Sequence, residues 1–434
     1  MRLCSTKDPT LSVTFLEAVD RGSPGDGGLY MFKEIPLFPE SFVRSLRGME
    51  FQEIAFHAAR LLIGDEIPSN ALRDIVEESI TFPAPLHSLD EQTYILELFH
   101  GPTLAFKDFG ARFMARVMAY VHRNDHAATT ILVATSGDTG SAVAHGFRGA
   151  EGVSVVLLYP SGKVSPLQEL QLTTAGDHVT ALEVEGAFDD CQRLVKRALN
   201  DPEICARKKL TSANSINIAR LVPQTFYYIN ACAQLPRGSQ PVVFSVPSGN
   251  LGNLTAGLLA GKMGLPVRRF VAGSNVNDAL IRFLSTGAFM PSPAIPTLSS
   301  AMDVGDPSNL ARMDALFDHD IDALKSKLVG WSVSDQETLE SIRWVFENHG
   351  YLMDPHTAVA WSALKKYAPG ANEPYTGIVL STAHPAKFGS VFDEEMRQMI
   401  EVPEALSRLR PEMKRATRLP AEFKAFKELL LSHQ

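Results

Sequence analysis

From Tyr94 onward, short wholly apolar runs alternate with longer stretches whose apolar residues recur every three or four positions. The runs YILELF (94–99), TTILVAT (129–135), VSVVLLYP (153–160), HVTALEV (178–184), PVVFSV (241–246), RRFVAG (268–273) and TGIVLST (376–382) predict strands. The stretches ARFMARVMAYV (111–121), GSAVAHGF (140–147), SPLQELQLTTAG (165–176), DDCQRLVKRAL (189–199) and NLTAGLLAGKM (253–263) predict helices. In the first of these, Phe113, Met114, Val117, Met118 and Val121 share one face. In the third, Ser165 stands as N-cap, Pro166 as first helical residue and Gln168 as the residue closing a capping box. The strand runs show no polar alternation. Such strands are buried on both faces, which predicts parallel sheets covered by helices and an α/β fold.

Before Tyr94 that rhythm is absent. VTFLEAVDRGSPGDGGLYMF (13–32) carries turns across Gly22–Gly28, and FQEIAFHAARLLIG (51–64) has helical spacing, so a mostly helical N-terminal domain is expected. Met290–Pro307, rich in Pro and Ser, reads as a long loop or interdomain cover, and AEFKAFKELLLSHQ (421–434) as an amphipathic helix.

Composition narrows the partners. The 434 residues are 45% hydrophobic and 21% charged, which suits two or three globular domains at roughly 100–200 residues each. The net charge is -8 without a long like-charge run, which argues against nucleic acid and anionic membrane. An anionic substrate must then be met by local cations or backbone amides. Cys4, Cys191, Cys205 and Cys232 form no C-x-x-C and no metal-ligand spacing, so no metal is expected. Four thiols suit a reducing compartment. The start MRLCSTKDPTLSV has no apolar signal core and no 18-residue apolar run follows, so the expectation is a cytoplasmic protein.

In parallel α/β sheets, ligands gather at the carboxyl ends of the strands. Four such ends are unusual here. SVPSGNLGNLTAG places Gly249, Asn250, Leu251, Gly252 and Asn253 between a strand and a helix, where backbone N–H groups and the helix N-terminus can cradle an anion. It matches neither G-x-G-x-x-G nor G-x-x-x-x-G-K-[ST], so it suits one phosphate monoester and not a dinucleotide or ATP. Taken alone, a tight turn that binds nothing explains it equally well. ATSGDTGSA offers Thr135, Ser136, Gly137, Thr139 and Gly140 for a second anion such as a carboxylate, although simple helix capping by Ser136 or Asp138 is the plainer account. LSTAHPAKF presents Ser381 and Thr382, whose hydroxyls could bond a heteroaromatic nitrogen. Its His384 and Lys387 read more readily as surface residues.

The fourth end, HGPTLAFKDFG (100–110), puts Lys107 at a helix start among Leu104, Phe106 and Phe109. Desolvation and the helix dipole both disfavour its charge, as a Schiff-base lysine requires. Asp108 would oppose this if it turned toward the amine. A lysine, a single-phosphate cradle, a carboxylate cradle and a hydroxyl together fit pyridoxal phosphate.

The strings that carry these residues resemble the threonine synthase family, bacterial and fungal branch, among the fold type II pyridoxal-phosphate enzymes that include the tryptophan synthase β subunit. The likeness runs through VTFLEAVDRG, FPAPL, ELFHGPTLAFKDFGARFMA, ATSGDTGSAVAHGF, LYPSGKVSPLQE, SANSINIARL, SVPSGNLGNLTAGL, AMDVGDPSN and TAHPAKF. It implies two open, mainly parallel twisted sheets with helices on both faces, beside the N-terminal domain. The expected domains are 1–92, 93–128 with 222–400 as the large cofactor domain, 129–221 as the small domain, and a tail, 401–434, packed on the large one.

The resemblance also implies roles. Lys107 carries the cofactor and acts as the catalytic base. Gly249, Asn250, Leu251 and Asn253 hold its phosphate, Thr382 faces the pyridine nitrogen, and Asp138 sits near the phenolic oxygen. A carboxylate there would repel a phenolate unless one of them is protonated. Ser136, Gly137 and Thr139 line the substrate side, and Lys163, Asn214, Ser215, Asn217 and Arg220 are candidates for the substrate phosphate. The implied reaction turns O-phospho-L-homoserine and water into L-threonine and phosphate, in a monomer or homodimer. A phospholyase releasing 2-oxobutyrate and ammonia, or a non-catalytic protein that kept the fold, are the alternatives.

Overall fold

The computed structural model describes residues 1–123, 128–150, 152–371 and 373–432. The expected domain limit at 128/129 therefore falls beside residues outside this set, as do the last two residues of the expected C-terminal helix. Two sheets organise the chain. The larger has six strands in the order Leu328–Ser332, Val267–Ser274, Val242–Pro247, Thr376–Ser381, Thr93–Glu97 and Leu86–Ser88. Only Leu86–Ser88 pairs antiparallel. The smaller has five parallel strands, Thr417–Pro420, Val179–Glu185, Val153–Pro160, Thr129–Ala134 and Lys209–Ser212.

The apolar runs behave as their composition requires. In Thr129–Ala134, Ile131 and Val133 face the central core while Leu132 and Ala134 face an outer core built on the helix Phe188–Leu199. In Val242–Pro247, Phe244 and Val246 face one core and Val243 another. Each such strand buries both faces, so an alternating pattern would have left polar groups without water.

All four sheet edges were invisible to that pattern. Leu86–Ser88, Leu328–Ser332, Lys209–Ser212 and Thr417–Pro420 are short and carry polar residues, as edges open to water do. The N-terminal region holds the helices Phe15–Arg21, Glu40–Ser45, Phe51–Ile63 and Ser69–Ser79. It also has a small antiparallel sheet of Arg2–Ser5, Val13–Thr14 and Tyr30–Phe32.

The C-terminal tail does not pack on the large sheet. Thr417–Pro420 pairs with Val179–Glu185 of the small sheet, and Phe426 and Leu430 of the helix Phe423–Ser432 join Val184, Leu194 and Ile204 in the outer core. The apolar face of that helix finds its match there, above a sheet whose outer face would otherwise be half bare. Phe426→Ala should therefore cost about 3–5 kcal/mol. The loss should appear as reduced hydrogen-exchange protection in Val179–Glu185, with Val242–Pro247 unaffected; equal loss in both sheets would contradict this placement.

Candidate active site

The central strands of both sheets end at one cavity with about 1180 Å³ of empty space, including its mouth. Lys107, the first residue of the helix Lys107–His122, lines it. The loop ahead of it is stitched to the strand end that carries Thr382. Leu104 adopts a left-handed φ of 59° and its carbonyl accepts the His384 N–H at 3.1 Å, while the Phe106 N–H bonds Thr382 O at 2.9 Å. Burial brings the Lys107 amine down to about 8; Asp138 pulls the other way, and Arg220 and Lys387 assist the fall.

Asp108 is turned away from that amine. Its carboxylate accepts the Thr103 N–H at 2.8 Å and the Thr103 hydroxyl at 2.7 Å, and burial nonetheless raises it to about 6. Gly110, the last residue of HGPTLAFKDFG, is a steric necessity: a Cβ there would stand 2.9 Å from Arg220 Nε. The pKa of Lys107 has a direct test. A neutral acylating reagent on the apo protein should modify Lys107 with a midpoint near pH 8, against about 10.4 for exposed lysines. Peptide mass spectrometry across pH would read both, and a shared midpoint would show a solvated amine.

Opposite Lys107 lies the turn into the helix Gly252–Lys262. Among the described residues, none of the backbone N–H groups of residues 249–253 has an acceptor. Leu251 is held at a left-handed φ of 61°, which an apolar side chain rarely adopts and which turns these amides one way. Asn253 Oδ1 accepts the hydroxyls of Tyr227 at 2.6 Å and Tyr228 at 2.8 Å, so its Nδ2 is fixed, buried and without a partner. Asn250 is committed to structure: Nδ2 donates to Ser215 Oγ at 2.7 Å and Oδ1 accepts the Ser308 N–H at 2.6 Å. A row of unpaired amides at a helix N-terminus with one orphaned buried NH2 fits a phosphate monoester. Thr382 lines the same cavity, nearly buried, with its hydroxyl free of any hydrogen bond among the described residues.

Asp138 and Lys387 form the pairing that sequence reasoning missed. Lys387, expected at the surface, is buried; its Nζ meets Asp138 Oδ1 and donates to Thr103 O at 3.0 Å. Gln168 Nε2 donates to the same carboxylate oxygen at 2.9 Å. This corrects the capping box, because the Gln168 side chain serves Asp138 and takes the Ser165 hydroxyl on Oε1 at 3.0 Å. Burial alone would raise the Asp138 carboxyl, but Lys387 and Lys107 outweigh it and hold it at about 2. Asp138 is thus an anion with its own counter-charge.

On the substrate side, Ser136, Asp138 and Thr139 line the cavity with N–H groups unpaired among the described residues, at the start of the helix Asp138–Gly146. Asn214, Ser215 and Arg220 line it too. Arg220 is buried and, among the described residues, has no carboxylate partner and leaves Nε unbonded; burial lowers it to about 10 against the pull of Asp108. Three expected contacts fall outside. Gly137 bonds Thr135 Oγ1 through its N–H at 3.0 Å and shapes the loop without lining the cavity. Asn217 is fully buried, caps the helix Ile218–Leu221 and donates to Val19 O at 2.9 Å. Lys163 is exposed on a turn. The cavity also includes Asp306, which lies within AMDVGDPSN but carries no expected role, and Gln224 and His356, which lie outside the quoted strings.

The chain matches the family described as pyridoxal-phosphate dependent enzyme over residues 80–382. It also matches the threonine synthase N terminus over 2–80 and the threonine synthase C-terminal family over 357–430. It is 42% identical to the threonine synthase of Escherichia coli, each chain being covered completely. This chain belongs to the threonine synthase family. The crystal structure of the Escherichia coli threonine synthase superposes with a TM-score of 0.92 over the whole of both chains. That of PLP-bound threonine synthase from Brucella melitensis gives 0.90 at 35% identity, covering 99% of this chain and 98% of that one. Like the family, the chain uses pyridoxal 5'-phosphate and acts on a small molecule. Among the described residues, no helix is long and apolar enough to cross a membrane.

Proposed function

We propose that this chain converts O-phospho-L-homoserine and water into L-threonine and phosphate, with Lys107 as the base that moves the protons. The observation that carries this reading is a lysine amine brought down to about 8 across one cavity from a cradle of unpaired amides. Bound pyridoxal phosphate supplies an electron sink for charge developing on the substrate's α and β carbons.

The residues of this chain do the rest. The amides of Gly249 to Asn253 and the Asn253 Nδ2 would hold the cofactor phosphate, and the Thr382 hydroxyl would serve the ring nitrogen. Asp138 and Lys387 form an ion pair with no net charge, so the carboxylate would bring no net repulsion to a cofactor phenolate beside it. Lys107 takes the α proton and then a β proton. As the phosphate leaves, one proton goes to the γ carbon, making the methyl group, and water gives its hydroxyl to the β carbon and its proton to the departing phosphate. Lys107 returns the other proton to the α carbon as threonine leaves. A pKa near the working pH lets one amine serve as both base and acid. Ser136 and Thr139 hold the substrate carboxylate with their free N–H groups. Arg220, with Asn214 and Ser215, holds the substrate phosphate; a buried guanidinium lacking a carboxylate partner is a preformed counter-charge for it. The two sheets are the cores of two domains, and Phe188 and Gln192 line the same cavity as Val304 and Asp306. The protein works in the cytoplasm as a monomer or homodimer.

A product assay with O-phosphohomoserine tests the proposal. Threonine and phosphate should appear in equal amounts. Release of 2-oxobutyrate and ammonia with the phosphate would overturn it.

A further inference from the structure

Asp354 is fully buried behind the cavity and caps the helix Pro355–Tyr367. Its Oδ1 accepts the His356 N–H at 2.9 Å and lies 2.7 Å from His356 Nδ1. The nearly buried His356 ring lines the cavity, and its Nε2 accepts the Ala301 N–H at 3.2 Å. One neutral tautomer satisfies both contacts, with the proton on Nδ1 and the lone pair on Nε2. Ala301 and Met302 in turn press on the amide cradle. A Cβ on Gly249 would stand 2.8 Å from Met302 Cα and 3.1 Å from Ala301 O. On its other side, Asp354 Oδ2 accepts the Thr357 hydroxyl, and Thr357 Oγ1 lies 2.9 Å from the hydroxyl of Ser381, the neighbour of Thr382. A single carboxylate therefore braces both ends of the cofactor site, through an imidazole at one end and two hydroxyls at the other.

We propose that Asp354 and His356 are positioning residues that set how tightly the cofactor is held, His356 by fixing the backing of the phosphate cradle. The inference rests on the reading of residues 249–253 as that cradle. An aliphatic residue at 356 would leave the partly buried Ala301 N–H without an acceptor and free the 300–303 segment to leave Gly249. A larger or softer cradle loses phosphate affinity first, because its amides act only when aimed together.

The test is a titration of apo protein with pyridoxal phosphate and with pyridoxal, which lacks the phosphate. The ratio of the two dissociation constants isolates what the phosphate adds. His356→Leu should weaken pyridoxal phosphate at least about tenfold while leaving pyridoxal unchanged, and His356→Gln, which keeps an acceptor, should recover most of the loss. Asp354→Asn, which disturbs both arms, should weaken both ligands. Gly249→Ala serves as the control on the cradle itself. If it lowers the ratio and His356→Leu does not, the bracing role is wrong and the cradle stands. If Gly249→Ala leaves the ratio unchanged, the cradle assignment fails first. Equal loss of both ligands in His356→Leu would also overturn the proposal, marking general packing.

Discussion

Lys107→Ala will remove threonine formation and the absorbance of lysine-bound cofactor, lowering turnover by at least about 10³-fold. The size follows from the number of steps that one amine serves. It joins the cofactor and moves the protons at neighbouring carbons. Asp138 and His356 line the same cavity, but Lys387 and Lys107 hold the Asp138 carboxyl at about 2, too weak a base for a carbon acid, and both nitrogens of His356 are engaged, with Asp354 and the Ala301 N–H. The variant will also stay folded. Lys107 has a folded pKa of about 8, below its ordinary value, so burial penalises its charged form. That penalty is present at pH 7 and fades only as pH rises above about 8 toward the unfolded value of about 10.4. Alanine removes it, and the apo variant should melt no lower than the parent at neutral pH. Loss of activity with unchanged melting separates chemistry from folding. Appreciable threonine formation by the variant would refute the role given to Lys107.

Lys387→Met should be the most damaging change to stability near the site, about 3–5 kcal/mol by denaturant unfolding. Methionine fills similar space but leaves the Asp138 carboxylate buried with Gln168 as its chief remaining partner. Asp108 loses a nearby cation as well. The pH dependence carries the diagnosis. In the parent, Asp138 titrates at about 2, below its unfolded value of about 3.9. Its contribution is therefore present above about pH 4 and lost as pH falls toward 2. Without Lys387, burial pushes that carboxyl upward, so the variant is penalised at neutral pH and relieved on acidification. The stability gap between parent and variant should narrow from pH 7 to about pH 4. A gap independent of pH would mean that packing, not charge, is what Lys387 supplies.

What could be read beforehand was whatever is local. Lys107, the Gly249 to Asn253 turn and Thr382 each sit in a few consecutive residues at the end of an apolar strand, where strand direction alone aims them at a common place. Partners far along the chain could not be read. Asp138 and Lys387 are 249 residues apart, and nothing in either segment names the other. Adjacency also misled. Asn217 follows Ser215 by two positions, yet the chain turns between them, and Asn217 caps the next helix and ties it to Val19. Lys163 was assigned by charge, but its turn leaves it in solvent. The fold class followed from strands buried on both faces, whereas the four edge strands escaped because water on one flank relaxes the demand for apolar residues.

The return of Thr417–Pro420 to the small sheet bears on how the protein is made. Its pairing partner, Val179–Glu185, leaves the ribosome roughly 230 residues earlier, a lag on the order of 10–50 s at about 5–20 residues per second. During that interval the flank of Val179–Glu185 is an unpaired template and the outer face lacks Phe426 and Leu430. Nascent chains stalled before residue 417 should therefore be sticky and slow to acquire the Asp138–Gly146 end of the cleft, even though every residue that lines the cavity has already been synthesised.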